Sequence, residues 1–280
     1  YYNADPPMYL EDNTGLFRMI DVDFYTPHAN SSGFRLINNG PVEILRVNSG
    51  GAGIFGVVID TCSLSGPDCT TAGSVKITSS SFNSNQDNFG LQITANGPVT
   101  LSGVSASYNT GNGINIRSTG PVVIKNSVFS GNQSGDSTLG YGLYVDPATT
   151  GAVTLDNVVL TNNSNHGAFI STSGNVILKN VSASLNDKGI MIAATTTEGS
   201  GAGALNVSAL NGGFQDNRET SLWVEAKGTI TLTNIFSSSP DYYGLQLDNT
   251  YALAAPGVTL KNINLLYNGV GGGVVRSKGN

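Results

Sequence analysis

Residues able to carry acid–base or metal chemistry are few and dispersed in this sequence. The 280-residue chain contains 19 Asp and Glu, 13 Lys and Arg, and two histidines, His28 and His166. Glycoside hydrolysis requires two carboxyl groups about 5–9.5 Å apart, yet the sequence has no Asp-Asp pair. No loop carries the closely spaced carboxylates of a calcium site. The sequence therefore predicts no catalytic residue, no metal site and no cofactor, and it disfavours an enzyme.

The two cysteines, Cys62 and Cys69, flank a turn-forming Gly66-Pro67-Asp68. Their spacing suits a hairpin disulfide, whereas a metal site would need further Cys or His residues nearby. We therefore predict a disulfide, which implies an oxidising location outside the cytoplasm. Neither a signal peptide nor a membrane span is recognisable, so we expect a mature or excised part of a secreted protein. The net charge of −6 argues against a nucleic-acid partner.

The remaining residues form a repeat. Residues 90–112, GLQITANGPVTLSGVSASYNTGN, contain three short apolar alternations separated by Gly, Pro, Asn and Ser, a pattern typical of short strands with one buried face. The same order starts again at Gly113, 23 residues after Gly90. Uneven spacing elsewhere indicates insertions in surface bends. The copies open at Gly33, Gly56, Gly90, Gly113, Gly142, Gly167, Gly189, Ser221, Gly244 and Gly272.

Asparagine recurs at two positions of this repeat. Asn tolerates the left-handed backbone conformation, and its amide can bond to an amide in the turn above or below. We therefore predict two structural ladders of stacked side chains with no catalytic use. One ladder follows the second strand, at Asn126, Asn157, Asn180, Asn211, Asn234 and Asn262. The other follows the third strand, at Asn85, Asn109, Asn132, Asn163, Asn186, Asn217 and Asn268.

The repeat predicts an all-β solenoid with three short strands per turn and about nine to ten turns of roughly 23 residues. A single turn cannot bury its apolar face, but stacked turns pair strand on strand in parallel and enclose one core. From Gly33 onward the sequence resembles the right-handed parallel β-helix family, the pectate-lyase-like superfold, and within it the large bacterial repeat surface proteins. That resemblance implies a fold and leaves the function open.

The enzymes of that superfold supply a comparison at the level of motifs. The pectin hydrolases that this chain resembles carry Asn-Thr-Asp, Asp-Asp, Gly-His-Gly and Arg-Ile-Lys motifs. Only Asn165-His166-Gly167 comes near one of them, and Gly167 already opens a repeat. Pectate lyases use clustered carboxylates for calcium and an arginine base, whereas the arginines here are scattered singly. The resemblance therefore transfers no catalytic residue to this chain.

We divide the chain into residues 1–32, an N-terminal cap or interaction segment, and residues 33–280, a parallel β-helix that ends in an incomplete turn. Residues 1–32 are rich in tyrosine, and the turn that opens at Gly272 lacks its second strand. Two explanations stay open: a longer repeat array has been trimmed at this turn, or the open end docks on the N-terminal turn of another copy. The second is possible because an uncapped solenoid end exposes strand edges that could pair with another chain. The predicted assembly ends are Tyr1, Tyr2, Tyr9, Val274, Val275 and Asn280.

Large side chains occupy the outward middle position of four successive first strands. Adjacent rungs lie about 4.8 Å apart, so these residues would form an apolar strip. It could pack against another chain, stack on sugar rings, or be covered by an inserted loop. Two residues farther along each strand lies a column that includes Asp60, Arg117 and Asp146, and the alternating charges on neighbouring rungs indicate surface pairing rather than a catalytic groove. The strip consists of Tyr144, Phe169, Met191 and Trp223.

These features predict a non-enzymatic extracellular or cell-surface protein that assembles head-to-tail into a filament through its open coil ends. The expected partner is a second copy of the chain, and polysaccharide is the other partner considered. Two alternatives stay open, a polysaccharide lyase or hydrolase and a glycan-binding adhesin on the same fold.

Overall fold

Period-two apolar patterning gives this chain strands that stack in parallel, as the sequence predicts. The computed structural model describes residues 8–25, 33–53, 56–61, 73–86, 88–193, 205–250 and 256–278. All regular elements within these ranges are strands. In chain order they are β1 (Met8–Asn13), β2 (Phe17–Tyr25), β3 (Phe34–Asn38), β4 (Val42–Gly50), β5 (Val57–Asp60), β6 (Val75–Thr78), β7 (Ser81–Asn83), β8 (Asn88–Ala95), β9 (Val99–Ser102), β10 (Gly111–Ser118), β11 (Val122–Ser130), β12 (Leu143–Val145), β13 (Val153–Thr161), β14 (His166–Ser171), β15 (Val176–Lys179), β16 (Ser182–Ser184), β17 (Lys188–Ala193), β18 (Val207–Gln215), β19 (Leu222–Glu225), β20 (Ile230–Ser237), β21 (Tyr243–Asp248), β22 (Val258–Leu265) and β23 (Gly271–Arg276).

The strands form two long parallel sheets that run the length of the stack. The first sheet has eleven strands in the order β1-β3-β5-β8-β10-β12-β14-β17-β19-β21-β23. The second has twelve, in the order β2-β4-β6-β9-β11-β13-β15-β18-β20-β22, with β7 beside β4 and β16 between β13 and β18. Every predicted first strand lies in the first sheet. The solenoid prediction is therefore confirmed.

In most coils the predicted second and third strands run on as one element with a bend inside it. The bend residue has a positive φ, between 49° and 55°, at Asn126, Asn157, Asn180, Asn211, Asn234 and Asn262. Their amides are linked from coil to coil. Asn157 Nδ2, for example, donates to Asn126 Oδ1 at 2.8 Å, and Asn234 Nδ2 donates to Asn211 Oδ1 at 3.0 Å. In the first two coils Asp21 and Arg46 take the bend position and form an ion pair.

The second Asn column is buried at the end of the third strand. Each side chain from Asn85 to Asn186 donates from Nδ2 to Oδ1 of the next, at 2.9–3.0 Å, as far as Asn217. The left-handed conformation belongs to the residue before the ladder position, such as Tyr108 or Leu185, rather than to the ladder Asn itself. The next coil has Ser239 in place of Asn, so Asn268 stands apart from the ladder.

Large and small side chains alternate in the core behind the third strand. Phe82, Ala106 and Phe129 follow one another on successive rungs, and all are fully buried. A phenyl ring needs more room than one rung of about 4.8 Å provides, so a small neighbour on the next rung lets the ring spread. Farther along, Phe214 has Ala183 on one side.

Part of the N-terminal segment continues the stack. Strand β1 pairs with β3 and β2 with β4, both in parallel, so residues 8–25 add one coil before Gly33. Phe24 stacks on Phe34 with ring centroids 5.4 Å apart. The capping or interaction role predicted for residues 1–32 stays a prediction. Tyr1, Tyr2, Asn280 and the predicted Cys62–Cys69 disulfide lie outside the described residues.

Within the described ranges, no helix is long and apolar enough to cross a membrane.

Candidate functional site

The structure brings the four residues of the predicted strip onto adjacent rungs. Tyr144 pairs with Phe169, Phe169 with Met191, and Met191 with Trp223. Each is the outward residue of a strand whose neighbouring side chains point into the core, and each is half-buried. The Trp223 Nε1 atom is buried and has no hydrogen-bond partner among the described residues.

Two aromatic residues that the sequence argument did not include join this strip. Tyr141 stacks on His166 with ring centroids 5.2 Å apart, and Tyr144 stacks on Phe169 at 5.4 Å. Tyr141 also meets Phe169 edge-on at 6.2 Å. Tyr141 and His166 each lie three residues before a strip residue. The repeated offset is the sequence signal that could have identified them.

His166 is neutral in this cluster. Its Nδ1 lies 2.7 Å from Asn165 Oδ1, so the Nδ1–H donates to the amide oxygen, and Nε2 is buried with no partner among the described residues. Burial, followed by the nearby positive charge of Lys188, lowers the pKa of His166 to about 3. Burial also raises the pKa of the Tyr141 and Tyr144 hydroxyls. The cluster therefore stays uncharged near neutral pH and offers no general base of matched pKa.

A cavity of about 230 Å³ opens beside Tyr144 on the outer face of β8, β10 and β12. Phe169 covers one face of the Tyr144 ring at an interplanar angle of 12°. The opposite face is therefore directed to the neighbouring Asn115 rung, where the cavity lies. The cavity is lined by Gln92, Ile93, Thr94, Asn115, Ile116, Arg117, Tyr144 and Asp146.

The polar groups of the cavity carry both signs of charge. Arg117 is exposed and forms no ion pair with any described residue. Asp146 Oδ1 accepts a hydrogen bond from the Ala148 N–H at 2.7 Å, which fixes the carboxylate at the end of β12. Asn115 Oδ1 accepts from Asn112 Nδ2 at 2.8 Å. The cavity thus presents a guanidinium, a carboxylate and amides around one aromatic ring.

The Tyr144 cavity contains a single carboxylate, Asp146, although Glu225 and Asp248 occupy adjacent rungs farther along the same column. Asp60 and Asp146 occupy the same column, but the Thr94 and Arg117 rungs separate them. Three rungs amount to about 14 Å, beyond the separation that glycoside hydrolysis uses. Among the described residues, no three His, Cys, Asp or Glu side chains form a group that could hold a metal ion. At the far end of the column Asp248 approaches Arg276 at 3.9 Å.

The predicted assembly ends present a different kind of surface. Leu260 continues the buried column of Leu232, and Val275 that of Leu247, yet their exposed fractions are 43% and 48%. Val274 is half-buried on the outward side of β23. At the other end Tyr9 is exposed, and the Arg35 guanidinium lies 5.8 Å from the centroid of its ring.

The architecture defines a right-handed parallel β-helix with its candidate site on the outer face of the first sheet. Residues 25–182 match the family described as "Right handed beta helix region", and the chain belongs to that family. No curated protein sequence matches the chain.

Three solved structures are similar to this chain in fold. The A-module of Azotobacter vinelandii mannuronan C-5 epimerase AlgE4 is 14% identical with a TM-score of 0.49, over 96% of this chain and 90% of that one. The A-module of A. vinelandii mannuronan C-5 epimerase AlgE6 is 13% identical with a TM-score of 0.42, over 98% and 90%. The pectate lyase Pel9A is 15% identical with a TM-score of 0.41, over 92% and 69%. At this distance they do not bear on what this chain binds.

Proposed function

We propose that the protein is an extracellular β-solenoid that binds a polysaccharide in the Tyr144 cavity without cleaving it. The observation that carries this proposal is that the open face of the Tyr144 ring lies in the same cavity as the positively charged Arg117 and the negatively charged Asp146. It corresponds to the adhesin alternative of the sequence analysis and departs from the purely structural role favoured there.

The chemistry of the cavity matches that of a sugar ring. Sugar C–H groups can lie on the electron-rich face of Tyr144, and each hydroxyl is both a donor and an acceptor. Arg117 and the amides of Gln92 and Asn115 can donate to hydroxyl oxygens, while Asp146 can accept from hydroxyl hydrogens. A uniformly anionic polymer would suit this arrangement less, because Asp146 lies one rung from Arg117. We therefore expect a neutral polysaccharide.

Binding without cleavage is part of the proposal. Asp146 is the only carboxylate among the cavity-lining residues, and the distance to Asp60 is too long for a two-carboxyl hydrolysis. Reducing-end release and the ultraviolet absorbance of unsaturated sugar products should both stay at background when the protein is incubated with any polymer it binds. Sustained product formation that disappears in Asp146→Asn would contradict this part.

Affinity gel electrophoresis tests the site. Hydroxyethyl cellulose, mixed-linkage β-glucan and galactomannan, each cast into a native gel, are the probes. We expect at least one to retard the protein, and Tyr144→Ala to raise the apparent Kd about tenfold or more, because a Tyr ring at the centre of a site is an energetic anchor.

Tyr242 is an exposed tyrosine remote from the cavity. The variant Tyr242→Ala is therefore the matched control and should bind the polymers as the wild type does. No retardation by any of the three probes, or unchanged retardation of Tyr144→Ala, would overturn the proposal.

Exposed apolar groups on β22 and β23 favour a second candidate function, head-to-tail stacking of copies. Leu260 and Val275 occupy columns that are buried in the preceding coils, and β23 pairs only with β21 among the described strands. The first described coil offers β1 and β2, each paired on one side only. Parallel strands at both ends can continue one ladder across two copies, which gives an open filament.

Sedimentation over a range of concentrations tests this second function. We expect the wild type to self-associate and Leu260→Lys to remain monomeric, because a buried unpaired ammonium is costly. Leu210→Lys changes an exposed leucine on the flank of a central coil and should self-associate as the wild type does. A wild type that is monomeric at every concentration would contradict the filament proposal.

An extracellular location follows from a polysaccharide ligand and from the predicted Cys62–Cys69 disulfide. Denatured, unreduced protein should contain no free thiol. Two free thiols per chain would count against this location.

A further inference from the structure

A second, larger cavity of about 620 Å³ lies on another side of the coil, beside the end of the third strand. It spans the first three coils, along the ends of β2 and β4 and the short strand β7. It shares no lining residue with the Tyr144 cavity. Its lining residues are Asp23, Phe24, Tyr25, Asn48, Ser49, Gly50, Gly51, Ser81, Asn83, Ser84 and Gln86.

Tyr25 forms an aromatic platform at this cavity. Its side chain is 76% exposed, and its ring rests on Gly51 of the next coil, where an added Cβ would lie 2.9 Å from Tyr25 Cε2. Gly51 also has a φ of +75°, so both the close approach of the ring and the backbone conformation favour glycine at this position. The backbone therefore supports one side of the ring, and the other side is open. Tyr108 rests on Gly131 in the same way, and it is 69% exposed.

The polar groups beside Tyr25 are already oriented by each other. Asn48 Nδ2 donates to Asp23 Oδ1 at 2.7 Å, and Ser81 Oγ donates to Asn48 Oδ1 at 2.7 Å. Asn83 Oδ1 accepts from Ser105 Oγ and from the Ser107 N–H. Amide donors of Asn83 and Gln86 have no partner among the described residues.

No cationic side chain is among the described residues that line this cavity. Amides, hydroxyls and one carboxylate suit a ligand rich in hydroxyl groups, and an open ring face suits the apolar face of a sugar. An anionic ligand would meet Asp23 without a compensating charge. The lining chemistry therefore selects a neutral glycan.

We infer that the Tyr25 cavity is a second binding site for neutral polysaccharide, and that the protein cross-links two polysaccharide chains. The Tyr144 cavity faces outward from the first sheet, whereas the Tyr25 cavity lies at the third strand, beyond the Asp21 and Arg46 bend. One extended segment cannot occupy both faces. The cross-linking, though not the second site itself, rests on the function proposed for the Tyr144 cavity.

The experiment uses the full chain in a Leu260→Lys background, so that coil stacking cannot itself join polymers. Tyr25→Ala, Tyr144→Ala, the double variant and the Tyr242→Ala control are run in gels containing hydroxyethyl cellulose, mixed-linkage β-glucan or galactomannan. Turbidity of mixtures with each polymer reports cross-linking. Tyr25 is mostly exposed, so its removal should leave the fold intact, and the thermal transition of each variant checks this.

We expect each single variant to bind about tenfold more weakly and to lose turbidity, and the double variant to lose retardation as well. Normal binding and turbidity in Tyr25→Ala would overturn the second site. If Tyr25→Ala loses binding while Tyr144→Ala binds as the unmutated protein does, the function proposed for the Tyr144 cavity is contradicted and the Tyr25 site stands. Weaker binding in both single variants with undiminished turbidity would overturn the cross-linking.

Discussion

His166 is a titratable residue held in its neutral form by its surroundings. Tyr141 and Phe169 pack against its ring, Asn165 accepts its Nδ1 proton, and Lys188 lies nearby. Its pKa is about 3 in the folded chain, against 6.5 for an unperturbed histidine. Between pH 6.5 and pH 3 the unfolded chain therefore binds a proton that the folded chain does not. The free energy of unfolding must fall as the pH drops through that window.

Replacing His166 with Gln should flatten this pH dependence. Urea unfolding at pH 7 and pH 4 measures the free energy of unfolding of both proteins. We expect the wild type to lose up to about 3 kcal/mol more than His166→Gln between the two pH values. The variant should be the less stable protein at pH 7, because it loses the stacking on Tyr141. Equal losses in the two proteins would show that His166 titrates normally when folded.

The candidate site shows what a repeat reveals about single residues. Tyr144 and Phe169 were predictable because they replace small polar residues at a fixed outward position, and the period sets that position. Tyr141 and His166 were missed because they lie at or just before the start of a first strand, where the preceding insertions blur the alignment. The cavity itself could not be predicted, because it depends on which face of the Tyr144 ring is covered by Phe169. The periodicity of a sequence carries no information about ring orientation.

Asparagine serves two different purposes in the elements of this fold. Asn157 supplies a left-handed bend on the surface and bonds to its neighbour through an exposed amide. Asn163 is buried, donates to Phe129 O and Asn186 Oδ1, and accepts from the amides of Asn132. Burial makes the second set of hydrogen bonds far more costly to lose, because no water can replace the missing partner.

Two variants separate these roles. Asn163→Ala should lower the free energy of unfolding by about 3 kcal/mol or more, since several buried polar groups lose their partner. Asn157→Gly keeps the backbone conformation accessible and removes only an exposed hydrogen bond, so it should cost under about 1 kcal/mol. Chemical denaturation of both variants provides the comparison. Similar losses in the two would mean that the buried ladder is not a distinct source of stability.

At the level of elements, most of the fold could be predicted from the sequence. The start of each first strand followed from the spacing of Gly and the apolar alternation after it. The continuity of β11 or β13 through its bend could not be predicted. A single left-handed residue keeps the hydrogen bonds between strands intact while it interrupts the alternation of apolar and polar residues. The coil formed by β1 and β2 was harder to recognise, since Asp21 replaces the usual Asn or Gly at its bend.

The whole molecule behaves as a one-dimensional stack in which each coil contacts its two neighbours. The extended pairing order of both sheets shows this directly. Stability in such an array is a sum of coil terms and interface terms. Central coils such as those of β11 and β13 have two complete interfaces, whereas β23 pairs only with β21 among the described strands. Resistance to local opening should therefore vary along the axis.

Hydrogen exchange on the monomeric Leu260→Lys protein should reveal that gradient. Ladder amides of β11 and β13 should exchange most slowly, and those of β22 and β23 should exchange fastest. Phe129→Ala, which removes a fully buried ring from the centre, should cost about 3–5 kcal/mol and weaken protection in the coils on both sides of it. Leu210→Lys, on the flank of a central coil, should leave the pattern unchanged. Uniform protection along the axis would show instead that the stack opens as a single cooperative unit, so that no end is predisposed to add a coil.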